Sequence, residues 1–358
     1  MNRLTISEEQ KAFFHNHGFV VLDTEPLIKD SVLLEALKIA FECCFRGDFD
    51  TGIYPDEWHW RQGISRPDAV REICNGWKSD AAVRRVVLSE EVGSLGPQLF
   101  DHWQSSRVAQ DDLLWKVPAS VSTSMRSTGA GSTDAANGFS LAAPTHEIPK
   151  EEGKNDTTDN PHASSSVGYH IDSDYISKQF LPTEDNSITV WIPLDDADVE
   201  NGVLEFVAGS HKYETELEEA KRDLKARDEG GSSFHGGGNA LLDALREKAK
   251  RTDHHANNAS TTCTSEKNAS TSTSPAPLSV ARYRIPAGYC SIHHQNTLHG
   301  SGPNRSPLRH RRALVVHLLD GSVRFRADPD YIYGRYKLNN SAEVREEFFP
   351  TTWRITNL

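Results

Sequence analysis

Residues 168–176 read GYHIDSDYI and set His170 and Asp172 one residue apart in a stretch of strand-like composition. On a strand successive side chains alternate faces, so these two share a face while Ile171 points to the other. Their Cβ atoms would then stand about 7 Å apart, near enough for an imidazole nitrogen and a carboxylate oxygen to meet on one metal ion. Asp174 shares that face but lies roughly 13 Å from His170 along a straight strand, too far to join the same ion. A transition-metal site needs a third donor from elsewhere, and CSIHHQNTLHGSGPN offers His293, His294 and His299. His293 and His294 fall inside a strand-like run. His299 falls at its far end, before Gly300-Ser301-Gly302, where a strand gives way to a loop and a cavity can open, so it is the expected third ligand.

These donors need elements to hold them. Ser7-Glu8-Glu9-Gln10 opens a helical pattern with Ser7 as N-cap, and Gly18 ends it before the strand-like FVVLD at 19–23. Residues 31–45 and 79–107 carry apolar residues at helical period, so residues 1–110 are expected to be mainly helical. From residue 111 the pattern changes to short Val-, Ile- and aromatic-rich runs: LLWKVP, VGYHIDSDY, SITVWIPL, GVLEFVAGSH, SVARYRIPAG, CSIHH and RALVVHLL. Turn residues separate them, which predicts an antiparallel β core over 111–320. Asn201-Gly202 favours a tight hairpin within it. Residues 120–166 and 229–277 are rich in Ser, Thr, Gly, Asn and Asp, which predicts mobile polar insertions, with a short helix at LLDALREKAKR. No internal repeat is present, and a single domain over 1–358 is expected.

Composition excludes several function classes. The net charge is −12, from 39 basic and 51 acidic side chains, which disfavours a general phosphate-backbone binder. No nucleic-acid partner is expected. Five cysteines (Cys43, Cys44, Cys74, Cys263, Cys290) without CxxC spacing fit a reducing compartment better than a disulfide framework. The first residues lack the apolar run of a signal peptide, and no stretch approaches the length of a membrane span. ITNL is not an SKL-type address, and Lys11 breaks the match of Arg3-Leu4 and Gln10 to an amino-terminal peroxisomal signal. A cytoplasmic protein acting on a small molecule, without membrane partners, is the expectation; the oligomeric state is not legible.

HID at 170–172, then His299 followed by GSGPN and Arg311-Arg312-Ala313, resembles the phytanoyl-CoA dioxygenase family of Fe(II)/2-oxoglutarate oxygenases. ENGVLEFVAGSHK (200–212), PAGYCSIHH (286–294) and the opening EEQKAFFHNHGFVVL are similar to it as well. The resemblance implies a mainly β fold with flanking helices, a double-stranded β-helix or jelly roll. It also implies Fe(II) held by His170, Asp172 and His299, with 2-oxoglutarate and O2 as cosubstrates. The implied reaction hydroxylates a substrate C–H bond and releases succinate and CO2. Two imidazoles and one carboxylate leave three coordination positions open, in keeping with that chemistry. In halogenating relatives a small residue replaces the carboxylate, so the presence of Asp172 implies hydroxylation.

A guanidinium suits the far carboxylate of 2-oxoglutarate because its fork binds both oxygens. Arg309, Arg311 and Arg312 compete for this role, and strand periodicity leaves the inward face of RRALVVHL undecided. The family pattern selects Arg311, two residues before the alanine, although the loop from His299 is one residue longer than usual. Ser301 resembles the family's hydroxyl partner for the same carboxylate, and Lys116 in LLWKVP matches a lysine position that approaches the cosubstrate in relatives. Two other classes fit the same donors: an inactive module that binds 2-oxoglutarate or metal without turnover, and a zinc hydrolase with an activated water. The zinc hydrolase has no need of an arginine anchor beside Ser301. GIYPDEWHWRQG (52–63) is read as packing under a loop rather than a pocket wall.

Overall fold

The computed structural model describes residues 3–120, 166–226, 239–257 and 277–355. Helix α1 (Glu8–His17) begins at a reciprocal cap, in which Gln10 N–H donates to the Ser7 hydroxyl and Ser7 N–H to the Gln10 side chain. It stops at Gly18, whose φ of 81° suits a residue without Cβ, and the chain enters β1 (Phe19–Leu22). Helix α2 (Ser31–Arg46) follows from an Asp30 cap. Where one helical run is expected at 79–107, the structure has three short helices, Ala81–Val87, Glu90–Gly93 and Leu95–Leu99. Ser89 and Ser94 interrupt them as caps.

The first third is less helical than its periodicity suggests. It also contributes β2 (Glu57–Trp58) and β3 (Arg71–Cys74), and β4 (Ser105–Lys116) begins six residues before the predicted change at 111. Next come β5 (Val167–His170), β6 (Phe180–Leu181), β7 (Ser187–Pro193) and β8 (Leu204–Val207). Then follow β9 (Val280–Arg282), β10 (Cys290–His294), β11 (His299–Ser301) and β12 (Arg311–Asp320). Strands β13 (Arg324–Phe325) and β14 (Thr351–Arg354) complete the set.

Two antiparallel sheets carry the fold. The larger, eight-stranded one runs β1-β10-β7-β12-β4-β3-β2, with β14 added beside β4. The smaller runs β5-β11-β8-β9. This is a mainly β double-stranded β-helix with flanking helices, as the sequence resemblance implies. The outward face of the larger sheet places Ile188, Val190, Ile192, Leu314, Val316 and Leu318 against Phe41 and Phe45 of α2. Its inward face joins Phe19, Trp191, Ala313 and Val315 to Phe206 of the smaller sheet, with Phe19 and Phe206 stacked at 4.5 Å. Strand β12 is buried on both faces, which is why its residues 313–316 read as an unbroken apolar run.

Two local expectations are corrected. Asn201-Gly202 does not close a hairpin of paired strands, since β7 and β8 lie in different sheets; Gly202 (φ 82°) turns the chain between them, its Cα packed against the Gly302 carbonyl. Within the predicted insertion 229–277, residues Ala240–Asn257 form a helix that buries Leu241, Leu242 and Leu245 beside Leu217 of helix Glu214–Ala226. The expectations for residues 121–165, 227–238 and 258–276 lie outside the described residues. Cys43, Cys44, Cys74 and Cys290 are free thiols, and no described helix is long and apolar enough to cross a membrane.

Candidate metal centre and cosubstrate pocket

His170 ends β5 and His299 opens β11, and the two face one another as a directly opposed cross-strand pair with ring centroids 4.3 Å apart. Gly300 allows this close approach, because a Cβ there would lie 2.9 Å from the Val167 carbonyl oxygen. Asp172 is not on the strand, contrary to the sequence reading. The chain leaves β5 after His170 and coils into a one-turn 3-10 helix at Asp172–Asp174, which swings the Asp172 carboxylate back over the histidines. Its Oδ1 lies 3.9 Å from His170 Nε2 and 3.6 Å from His299 Nε2. Asp174 turns away to Lys178 and Lys221, at 2.7 and 2.5 Å.

These three side chains suit a divalent first-row metal. Two donors each about 2.1 Å from a shared ion stand at most about 4.2 Å apart, and both measured separations from Oδ1 fall within that limit. The tautomers suit it as well. His170 Nδ1 hydrogen-bonds the Gly168 carbonyl (2.8 Å) and His299 Nδ1 the Thr297 carbonyl (2.9 Å), which makes both Nδ1 atoms donors and leaves both Nε2 lone pairs directed inward. Burial, joined by a neighbouring imidazole, lowers the pKa of each ring to about 4, so both are neutral and able to bind a metal at pH 7. Burial pushes Asp172 up, yet His299, His293 and His317 together hold it well below the usual carboxylate range.

A polar network behind the ligands orients the carboxylate. Asp172 Oδ2 accepts from the Thr189 hydroxyl and lies 3.0 Å from His293 Nε2. Thr189 Oγ1 lies 2.9 Å from His317 Nδ1, and His317 Nε2 lies 2.9 Å from Asp112 Oδ2. Gln110 closes the chain by donating to Asp112 Oδ1 at 2.7 Å. Burial alone would lower the His317 pKa, but Asp112 and Asp172 raise it. Sequence reasoning assigned no role to Thr189, His317, Asp112 or Gln110. The one sequence signal among them is His317, a polar residue inside the apolar run of β12, whereas Gln110 and Asp112 sit in a β4 segment that is polar throughout. His293, weighed as a third ligand, instead stands behind Asp172 on β10, and His294 faces out to Asp185 at 2.8 Å.

Register places the three arginines in different surroundings. Arg311, Ala313, Val315 and His317 lie opposite Lys116, Leu114, Asp112 and Gln110 of β4, and this face turns inward. Arg312 points out and holds Asp195 through Nε and Nη2 (2.9 and 2.8 Å) and Glu42 through Nη1 (3.1 Å). Arg309 is likewise engaged, with Asp198 and Glu200. Arg311 has no carboxylate within ion-pair distance among the described residues. It is 1 % exposed, its Nη2 lies 3.5 Å from Ser301 Oγ, and its Nε and Nη1 have no hydrogen-bond partner. It lines the same cavity as His170, Asp172, His299 and Ser301. A buried cationic fork without an acceptor is costly, and a planar carboxylate in that cavity would satisfy it.

Lys116 sits differently from the sequence expectation. Its ammonium is fully buried and donates to Ser301 Oγ (2.6 Å), Gly302 O (2.6 Å) and Ser301 O (3.3 Å), so its three donors are spent on the turn after His299. Burial and nearby Arg311 lower its pKa well below that of an ordinary lysine. It positions Ser301 rather than facing the cavity.

Residues 151–313 match the family model for phytanoyl-CoA dioxygenase (PhyH). Among solved structures it is similar to the non-heme alpha ketoglutarate dependent carbocyclase SnoK from nogalamycin biosynthesis, at 17% identity and TM-score 0.59, over 98% of this chain and 99% of that one. It is also similar to the epimerase SnoN of the same biosynthesis, at 16% identity and TM-score 0.54, over 97% and 98%. EctD from S. alaskensis aligns at 14% identity and TM-score 0.52, over 92% and 82%. At such identities the likeness is one of fold. No curated protein sequence matches the chain.

Proposed function

We propose that the protein is an Fe(II)/2-oxoglutarate-dependent dioxygenase that hydroxylates a C–H bond of a small molecule, with succinate and CO2 as co-products. One observation carries this reading: a single cavity joins the buried His170/Asp172/His299 donors to the guanidinium of Arg311, whose Nε and Nη1 are unpartnered. Metal binding alone would not need that arginine, and neither would a zinc hydrolase. The family domain and the fold shared with oxygenases support the same reading, SnoN having been crystallised with Fe3+ and alpha ketoglutarate.

In this reading His170 Nε2, His299 Nε2 and Asp172 Oδ1 would hold the iron, which would supply the oxidising power for C–H cleavage. The Arg311 guanidinium, two of whose donors are unpartnered, receives the distal carboxylate of 2-oxoglutarate, and Ser301 adds a hydroxyl hydrogen bond whose direction Lys116 fixes. Thr189 and His293 hold Asp172 Oδ2 so that Oδ1 stays turned to the histidines. The apolar walls Leu114, Leu204 and Val315 keep water from the keto acid.

Purified protein given Fe(II), 2-oxoglutarate and air is expected to release succinate slowly without any substrate, and faster with the right member of a metabolite library. Succinate formation that does not depend on Fe(II), or 2-oxoglutarate binding with no succinate under any condition, would replace this reading with the inactive binding module.

A further inference from the structure

On the other side of the metal donors the barrel opens into a second cavity of about 210 Å3, which shares Asp112, His170, Asp172 and His317 with the cosubstrate pocket. Its remaining wall includes His59, Glu72, Gln110, Tyr175 and Tyr331. No lysine or arginine is among the described residues that line it, in contrast to the Arg311 end. Its carboxylates differ in what they have to hold. Asp172 belongs to the metal donors, and Asp112 is occupied by His317 and Gln110. Glu72 is 5 % exposed, on the inward face of β3, and no hydrogen bond or ion pair reaches its carboxylate among the described residues. The neighbouring Cys74 thiol brings no positive charge, and burial together with Asp112 and Glu57 raises the Glu72 pKa. Such surroundings disfavour the charged form of the group, so an anionic Glu72 calls for a cation beside it. The rings of Tyr175 and Tyr331, 6.2 Å apart in an edge-to-face arrangement, stand in the same wall, and aromatic rings of this kind attract cations.

We infer that the substrate is a small molecule carrying a protonated amine, and that the carboxylate of Glu72 receives the amine while the rest of the molecule faces the metal donors. The inference rests on the oxygenase reading only in taking this chamber as the substrate's. The pocket is then polarised end to end: Arg311 selects the anionic cosubstrate and Glu72 the cationic substrate, so neither settles well in the other's place.

The test is calorimetric titration of the full-length protein at pH 7, with and without Fe(II) and 2-oxoglutarate, using cyclohexylammonium against cyclohexanol and n-butylammonium against n-butanol. An ionic hydrogen bond in a desolvated wall should favour the ammonium member of each pair by at least about ten-fold. Glu72→Gln keeps the size, removes the charge and should erase the preference, whereas Glu72→Asp should retain it. The Asp variant and the wild-type pairs keep the test decisive if the Gln variant fails to fold. Equal affinity within each pair, absence of binding by all four probes, or a preference that survives Glu72→Gln overturns the inference. Succinate release by the same preparation judges the oxygenase reading separately. Release without an amine preference removes only the substrate class; a preference without release removes only the oxygenase.

Discussion

Arg311 and Arg312 are adjacent in sequence and should respond oppositely to truncation. Arg311 is buried with Nε and Nη1 unpartnered in the cosubstrate pocket, whereas Arg312 is bound at two points to Asp195 and also to Glu42. Removing one partner of a buried, hydrogen-bonded charge pair costs about 2–5 kcal/mol of binding. At 1.4 kcal/mol per ten-fold, Arg311→Ala should therefore raise the 2-oxoglutarate dissociation constant roughly 30-fold to several-thousand-fold. Its effect on the unfolding temperature of the 2-oxoglutarate-free protein should be small, because the cavity left by the side chain is offset by the loss of two unsatisfied buried donors. Arg312→Ala should do the reverse. It strands Asp195, whose side chain is 17% exposed, and should cost on the order of 3 kcal/mol of stability, while leaving 2-oxoglutarate affinity within about two-fold. Thermal unfolding and calorimetric titration of both variants with Fe(II) present separate the two effects. A 2-oxoglutarate affinity that falls in Arg312→Ala and holds in Arg311→Ala would refute the register argument and move the anchor to the outward face.

Other expectations follow from the same geometry. His170→Ala and Asp172→Ala should each abolish succinate release and the rise in melting temperature produced by added Fe(II), while circular dichroism stays that of a folded β protein; wild-type turnover by either variant in metal-limited buffer would remove it from the ligand set. His317→Gln interrupts the chain from Asp112 through Thr189 to Asp172 and should weaken Fe(II) binding about 10- to 100-fold. Unchanged affinity there would mean that His293 alone orients the carboxylate. Lys116→Met leaves the buried Ser301 and Gly302 carbonyls without their donor and should destabilise the fold by about 1–3 kcal/mol in chemical denaturation; a stability equal to wild type would show that the turn holds itself.

What was legible in the sequence was what is local. His170 and Asp172 are one residue apart and His299 is followed at once by its turn, so ordered short patterns picked out all three. The conformation that joins them was not legible, because alternation along a strand and a one-turn coil after His170 both bring Asp172 near the imidazole. Arg311 and Arg312 could not be separated by pattern because β12 is covered on both sides, by the cavity and by α2 and its neighbours. The wall of the second cavity was illegible for a different reason. Glu72, Gln110 and Tyr331 come from β3, β4 and a 3-10 segment near the carboxyl end, and only the sheet order brings them together. His59 lies in the aromatic stretch 52–63 read as packing; Trp60 and Trp58 do pack, while the histidine between them lines the cavity.

The opposed pairing of His170 with His299 across β5 and β11 makes the gap between the imidazoles a property of the sheet's hydrogen-bond ladder, not of the chain that connects them. Whatever length of polypeptide runs from one to the other, the rings arrive at the same spacing, and added residues change the entropy of loop closure only slowly. Loops between the intervening strands are thus open to insertion of a tag or reporter with the imidazole spacing left as it was, provided the turn that carries Asp172 and the strands that carry Thr189 and His293 stay intact.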